Sequence, residues 1–169
     1  MVYINSLLPH CLRNDFDNLF VNGIEGIVFE MTIKQKKWLI CTIYKPPNIK
    51  DTIFISCFSK VFEEMFSETQ CVLFIGDFNF NMNVDNTFSD CCTVLGLSNL
   101  IKGNTCFKGM TPTLLDVFLT ANKSLFVNDC LNYDIGLSDC HNIVGCVLKA
   151  YAPKKSNKIL RFRSFFNKN

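Results

Sequence analysis

The sequence has only two histidines, His10 and His141, and none of its ten cysteines stand in a C-x-x-C pair. Zinc sites built from Cys and His use such spacings, so the pattern argues against a zinc site. Cysteines such as Cys41 and Cys71 stand inside apolar runs, which is typical of reduced thiols that pack as small hydrophobic side chains. We therefore expect an intracellular protein, nuclear or cytoplasmic, without a disulfide framework.

Long apolar stretches are also absent. No basic segment followed by an apolar run marks a signal peptide, and every apolar run is far shorter than the roughly 20 residues of a membrane helix. The hydrophobic content of 49% and the low charged fraction of 19% exclude a disordered chain. The sequence predicts a soluble globular protein that does not act in a membrane.

Acidic residues are missing from the end of the chain. Residues 1–153 are predicted to form one compact unit, and 154–169 a basic tail or linker. Without the tail, 11 basic residues stand against 15 acidic ones, so the body is net negative and needs a bound cation or the tail to approach a phosphodiester. The six tail cations are Lys154, Lys155, Lys158, Arg161, Arg163 and Lys168.

Apolar periodicity predicts strands that alternate with helices and hairpin-like joins, an α/β arrangement with a mixed sheet. Asp51 or Thr52 is placed to cap the longer helix. The predicted strands cover about 27–33, 37–44, 71–75, 114–119, 125–131 and 142–148, and the predicted helices about 53–66 and 88–95.

Four short segments place polar residues at the end of, or within, apolar strands, where α/β folds hold their active sites. They are Tyr44-Lys-Pro-Pro-Asn48, Gly76-Asp-Phe-Asn79, Asp116 within T-L-L-D-V-F-L-T, and Ser138-Asp-Cys-His141. Each alone has an ordinary explanation, since D-x-N is also typical of a turn and a lone His is usually structural. A carboxylate inside an apolar strand, however, needs a partner, and His141 is one of only two histidines available to Asp116.

Together and in this order, the segments resemble the endonuclease/exonuclease/phosphatase superfamily, and within it the endonuclease domains of non-LTR retrotransposons. Y-K-P-P-N is similar to their Y-R-P-P-N, I-G-D-F-N to their G-D-F-N strand end, and S-D-C-H to their S-D-H. The resemblance covers roughly residues 1–150. It implies an incomplete four-layer α/β sandwich with mixed sheets.

The resemblance also implies a role for each motif residue. Asp77 orients or deprotonates the attacking water, and Asn79 holds the water or a phosphate oxygen. His141 stabilises the transition state while Asp116 fixes its ring. Tyr44 and Asn48 contact the scissile phosphate, and Asp139 contributes to the site of the phosphate and of Mg²⁺ (or Mn²⁺).

Two departures from the family pattern bear on activity. Cys140 is inserted between Asp139 and His141, and a one-residue shift in a strand would turn the imidazole to the opposite face. The family also begins with a strand–helix–strand unit that supplies an Asn and a metal-binding Glu, and this sequence starts after it. Glu25 and Glu30 lie on the wrong strand to replace that Glu. We expect weak or no activity from the chain as it stands.

The predicted function is Mg²⁺-dependent nicking of DNA by a domain of retroelement origin. Two alternatives stay open at this point. One is a phosphatase or lipid phosphodiesterase of the same superfamily. The other is a non-catalytic remnant, or a nucleic-acid-binding module that acts through its tail.

Overall fold

Two nine-residue strands, β2 (Glu25–Ile33) and β3 (Lys36–Tyr44), form the middle of the fold as an antiparallel hairpin. The computed structural model describes residues 2–128, 130–136, 138 and 140–149. The hairpin turn consists of Lys34 and Gln35, which both take the left-handed φ that a tight two-residue turn requires. Paired residues run from Glu25 opposite Tyr44 to Ile33 opposite Lys36.

A mixed six-stranded sheet is built around this hairpin. Only β3 and β4 are parallel, which requires a crossover, and helix α1 supplies it. The strand order is β1-β2-β3-β4-β6-β5, and two further strands pair with each other in a small second sheet. The remaining bounds are β1 (His10–Leu12), α1 (Asp51–Glu68), β4 (Val72–Asp77), α2 (Thr87–Val94), β5 (Ser98–Asn99), β6 (Asp116–Thr120), β7 (Leu131–Tyr133) and β8 (Ile143–Gly145), with 3-10 helices at Asn14–Leu19 and Lys123–Leu125. The α/β class with a mixed sheet is confirmed.

Helix α1 covers one face of the large sheet. Its apolar stripe packs on alternate strand residues such as Leu39 and Phe74, and phenylalanine rings fill the space between them. The predicted cap is wrong, because the helix begins after Lys50 without a side-chain cap and the Asp51 carboxylate instead pairs with Lys45. The buried residues of the stripe are Phe54, Cys57, Phe58, Val61, Phe62 and Met65.

The opposite face of the sheet carries a second, smaller apolar cluster that includes Trp38, Leu73 and Phe126. The predicted strand over 125–131 is wrong. Phe126 makes an isolated bridge to Leu148 and packs edge-on against Trp38 at 5.8 Å between ring centroids, so its apolar character serves core packing rather than a long ladder. Of the described residues in this stretch, only Leu131 enters a strand, β7.

All ten cysteines are free thiols. Within the described residues, no helix combines the length and apolar character needed to cross a bilayer. Asp139 and residues 154–169, the predicted basic tail, lie outside the described residues.

Candidate active site

The register between β4 and β6 brings two predicted site residues together. Asp77, the last residue of β4, lies directly opposite Asp116, the first residue of β6. Residues directly opposite in an antiparallel pair share a face of the sheet, and this face is the one opposite α1. The strand β6 begins later than the sequence pattern predicted, at Asp116 rather than Leu114. The reason is that a side chain, and not a neighbouring strand, accepts the hydrogen bonds from the backbone N–H groups at this point.

That side chain is Thr105, which is fully buried. Its hydroxyl oxygen accepts hydrogen bonds from the backbone N–H groups of Leu115 and Asp116, both at 3.0 Å, and its carbonyl accepts one from Asn142 N–H at 2.9 Å. Thr105 therefore ties the start of β6 to the residue after His141. It is not among the residues that the sequence motifs single out, and an isolated Thr in a loop carries no pattern that would identify it.

Gly76 allows the end of β4 to lie tightly against β3. Its φ of +154° is one that other residues rarely adopt, and a Cβ at this position would lie 1.8 Å from the carbonyl oxygen of Ile43. The contact continues one residue further, where Lys45 N–H donates to Asp77 O at 3.1 Å. The glycine of the G-D-F-N motif is thus required by close backbone approach.

Asn79 closes a turn that fixes the Asp77 carboxylate. Its backbone N–H donates to Asp77 Oδ1 at 3.0 Å, its φ of +51° is left-handed, and its side-chain amide donates to Lys45 O at 2.8 Å. The D-x-N segment is therefore a turn, as its composition alone indicates, and the same turn holds the Asp77 carboxylate at the end of β4.

Lys45 contributes to the site in a way that its motif does not reveal. The side chain is only 3% exposed, with the ammonium 3.2 Å from Asp51 Oδ1 and 4.9 Å from the centre of the Phe80 ring. This buried cation lowers the pKa of the Asp77 carboxyl, although less strongly than burial raises it. The backbone of Lys45 also binds both residues, since its N–H donates to Asp77 O and its carbonyl oxygen accepts from the Asn79 side chain.

His141 reaches the carboxylate pair despite the inserted Cys140. Its Nδ1 lies 2.9 Å from Asp116 Oδ2, which confirms the predicted contact. The Ser138 hydroxyl accepts hydrogen bonds from the N–H groups of Cys140 and His141. The extra residue is therefore accommodated with these Ser138 contacts, and the imidazole is not turned away from Asp116.

The electrostatics of the cluster are those of two like charges held close. Burial raises the pKa of the Asp77 carboxyl above its ordinary value, and the neighbouring Asp116 raises it further. Ligand atoms of Asp77, Asp116 and His141 all lie within 4.8 Å of one another. Two carboxylates on one face match the oxygen ligation that Mg²⁺ and Mn²⁺ prefer, so these residues fit such an ion.

The remaining motif residues lie in a groove that Asp77 also lines and in the loop before α1. Tyr44 and Asp77 line one groove of about 360 Å³, together with Glu25. Asn48 is exposed in the loop before α1. In the described residues, neither Glu25 nor Glu30 belongs to a group of three metal-binding side chains within 4.8 Å, and Glu30 is engaged by Arg13 at 3.2 Å.

No family model and no curated protein matches the sequence. Solved structures do match the fold. The endonuclease domain of TRAS1, a telomere-specific non-LTR retrotransposon, is similar with a TM-score of 0.69 and 16% identity over 88% of this chain and 72% of that one. An endonuclease/exonuclease/phosphatase family protein from Leptotrichia buccalis is similar with a TM-score of 0.52 and 15% identity over 73% of this chain, which spans 53% of that protein. The chain thus has the fold of the endonuclease/exonuclease/phosphatase proteins.

Proposed function

We propose that the chain hydrolyses phosphodiester bonds with the help of a divalent cation, and that its substrate is DNA, which it nicks in one strand. The observation that carries this proposal is the cluster of Asp77, Asp116 and His141, with Nδ1 of the imidazole held 2.9 Å from a carboxylate oxygen. Phosphoryl chemistry requires a base and groups that stabilise negative charge on the phosphate. In this cluster a carboxylate supplies the base, and the oriented imidazole with a bound cation would supply the stabilisation.

Asp77 is the residue that orients or deprotonates the attacking water. Burial raises its pKa, and a carboxylate with a raised pKa is a stronger base than one at the surface. Asn79 fixes the Asp77 carboxylate through its backbone N–H, and in this proposal its side-chain amide, which also donates to Lys45 O, holds the water or a phosphate oxygen.

His141 donates a hydrogen bond to the phosphate. Because Asp116 holds Nδ1, Nε2 is the ring nitrogen that is left to meet the phosphate. Tyr44, in the groove beside Asp77, and Asn48 supply further phosphate contacts.

Asp77 and Asp116 are the described residues that would hold Mg²⁺ or Mn²⁺, and Asp139 joins them in this proposal. The ion, when bound, neutralises charge on the phosphate oxygens. Together, the two carboxylates attract a cation more strongly than either one would alone.

DNA is favoured over other phosphate esters by two features. The structural match with the TM-score of 0.69 is to an endonuclease domain of a retrotransposon, and residues 154–169 carry six cations and no acid. A phosphatase of the same fold remains the second catalytic candidate, and a protein that binds nucleic acid without cleaving it is the non-catalytic one.

The test compares substrates under single-turnover conditions, with the full chain in excess over supercoiled plasmid. We expect slow Mg²⁺- or Mn²⁺-dependent conversion to the open-circular form, abolished by EDTA, and negligible release of phosphate from a soluble phosphomonoester. Phosphomonoester hydrolysis without nicking would favour the phosphatase. Binding of the plasmid without any cleavage would favour the non-catalytic protein.

A further inference from the structure

A second group of metal-binding side chains lies next to the proposed hydrolytic site. The group consists of Cys106, Cys140 and His141, and one ligand atom of each residue lies within 4.8 Å of those of the other two. Backbone pairing holds them together, since Cys106 forms an antiparallel bridge with His141 and Phe107 N–H donates to Cys140 O at 2.7 Å. Cys106 is buried, whereas Cys140 and His141 are half-buried, so the group is reached from the surface through these two residues.

We propose that Cys106, Cys140 and His141 bind a thiophilic divalent cation, of which Zn²⁺ is the type, and that this binding removes His141 from the hydrolytic site. The proposal concerns a metal other than the one that supports hydrolysis. Its inhibitory part rests on the proposed function, whereas the binding itself does not.

The ligand set selects the metal. Two sulfurs and one imidazole nitrogen leave one position of a tetrahedron for water, an arrangement that Zn²⁺ adopts and that Mg²⁺ and Mn²⁺ disfavour. Two sulfurs on a tetrahedral Zn²⁺ lie roughly 3.8 Å apart for a bond of about 2.3 Å. The observed limit of 4.8 Å therefore requires the two sulfurs to close by no more than about 1 Å.

Binding at the thiols and hydrolysis compete for the same imidazole. Nδ1 of His141 is held by Asp116, so the cation takes Nε2 or displaces Asp116 from Nδ1. In the first case the nitrogen that faces the phosphate is blocked, and in the second the ring loses the carboxylate that orients it. Either route lowers hydrolysis. The sulfur that makes this possible belongs to Cys140, the residue inserted into the S-D-H motif.

The step involves no redox chemistry. Each cysteine loses its thiol proton to solvent as the metal–sulfur bond forms, and the neutral imidazole binds through a nitrogen lone pair. A disulfide between Cys106 and Cys140 is a different chemistry that would remove both ligands. The experiment therefore keeps the protein reduced with a phosphine.

The experiment adds Co²⁺, as a spectroscopic probe, and then Zn²⁺ to the reduced full chain in the absence of DNA. We expect one equivalent of Co²⁺ to give sulfur-to-cobalt charge-transfer absorption, which Zn²⁺ abolishes by displacement. Cys140→Ser and His141→Asn should each weaken Zn²⁺ binding at least about 100-fold. Cys91→Ser is the matched control, because Cys91 is also half-buried and free, and it should bind like the unchanged chain.

Several outcomes would overturn the proposal. Equal absorption in Cys140→Ser and Cys91→Ser would place the ion on other cysteines. Absence of Zn²⁺ binding, with an oxidant instead linking Cys106 to Cys140, would make the pair a redox element. Circular dichroism shows whether a variant is folded, and His141→Asn tests the site without altering a thiol. Because binding is measured without DNA, a chain that never nicks DNA can still pass or fail this test.

Discussion

Asp77 and Asp116 face each other across the junction of β4 and β6, so two carboxylates stand directly opposite on one face of the sheet. Like charges in this position destabilise a sheet, and the pKa of Asp77 is raised by burial and by Asp116. His141 offsets part of the repulsion through its bond to Asp116. A pair that costs stability is expected where it serves a ligand, and the proposed cation fulfils that role.

We predict that Asp77→Asn stabilises the metal-free protein at neutral pH. A folded-state pKa above the unfolded one means that ionised Asp77 costs stability, and the cost appears as pH rises through the unfolded value of about 3.9 towards the raised folded value. The asparagine can still accept from Asn79 N–H. We expect a gain of at most about 1 kcal/mol, or roughly 2–4 °C in Tm, because water screens a half-buried charge.

Thermal unfolding at pH 7 and at pH 3 checks this prediction. The gain should vanish at pH 3, where both states carry a protonated Asp77. Asp90→Asn, in the exposed first turn of α2, is the control and should lower Tm slightly at pH 7, because it removes a charge that favours the helix N-terminus. A lower Tm for Asp77→Asn at pH 7 would contradict the prediction.

With a divalent cation present, Asp77→Asn should become less stable than the unchanged chain instead of more stable. Mn²⁺ that binds only the folded protein stabilises it in proportion to the logarithm of its concentration over Kd, about 2.7 kcal/mol at one hundred times Kd. We expect Mn²⁺ to raise the Tm of the unchanged chain and of Asp90→Asn, and to raise that of Asp77→Asn and Asp116→Asn much less. Equal shifts in all four proteins would place the ion elsewhere.

Thr105 should prove to be a positioning residue. Thr105→Val removes the hydroxyl that accepts from Leu115 and Asp116 N–H, leaving buried donors unpaired at a cost of about 1–3 kcal/mol. Thr105→Ser keeps the hydroxyl and should retain most of the stability. NMR of the His141 ring should show a changed Nδ1 environment in the valine variant alone. The same His141 spectrum in both variants would show that Thr105 has no part in placing the site.

Gly76 offers a test of the close approach between β4 and β3. Gly76→Ala places a methyl group on the backbone oxygen of Ile43, which cannot move without breaking the ladder, so we expect a loss of more than about 3 kcal/mol. Gly96→Ala is the control, because it also replaces a glycine of positive φ but meets nothing within 4 Å. Urea unfolding of the two variants measures the difference, and equal losses would show that only the backbone conformation matters.

The basic tail should supply most of the non-specific affinity for DNA. Six cations that all contact phosphates would give a log–log salt dependence with a slope of up to roughly −5. Deletion of residues 154–169 should flatten that slope. Fluorescence anisotropy with a labelled duplex over a range of salt concentrations measures it. Unchanged affinity and slope would show that the net-negative body binds DNA by itself.

Much of the sheet and the Asp116–His141 contact could be predicted from the sequence, because long strands, a long amphipathic helix and four ordered motifs carry local patterns. The rest depends on tertiary contacts. Asp51 forms an ion pair with Lys45 instead of capping the helix. Phe126 packs against Trp38 instead of entering a strand. The meeting of Cys106 with Cys140 also joins segments that share no sequence pattern.

Asp77, Asp116 and His141 are proposed to act together on a phosphodiester, and a mutant cycle of DNA nicking tests this proposal most directly. Single-turnover nicking with Mg²⁺ would be measured for the unchanged chain, Asp116→Asn, His141→Asn and the double variant, with Asp90→Asn as control. We predict that His141→Asn loses roughly 10²–10⁴-fold, that Asp116→Asn loses less, and that the double variant is no slower than His141→Asn. Nicking that persists unchanged in His141→Asn, or losses that simply multiply in the double variant, would contradict the account.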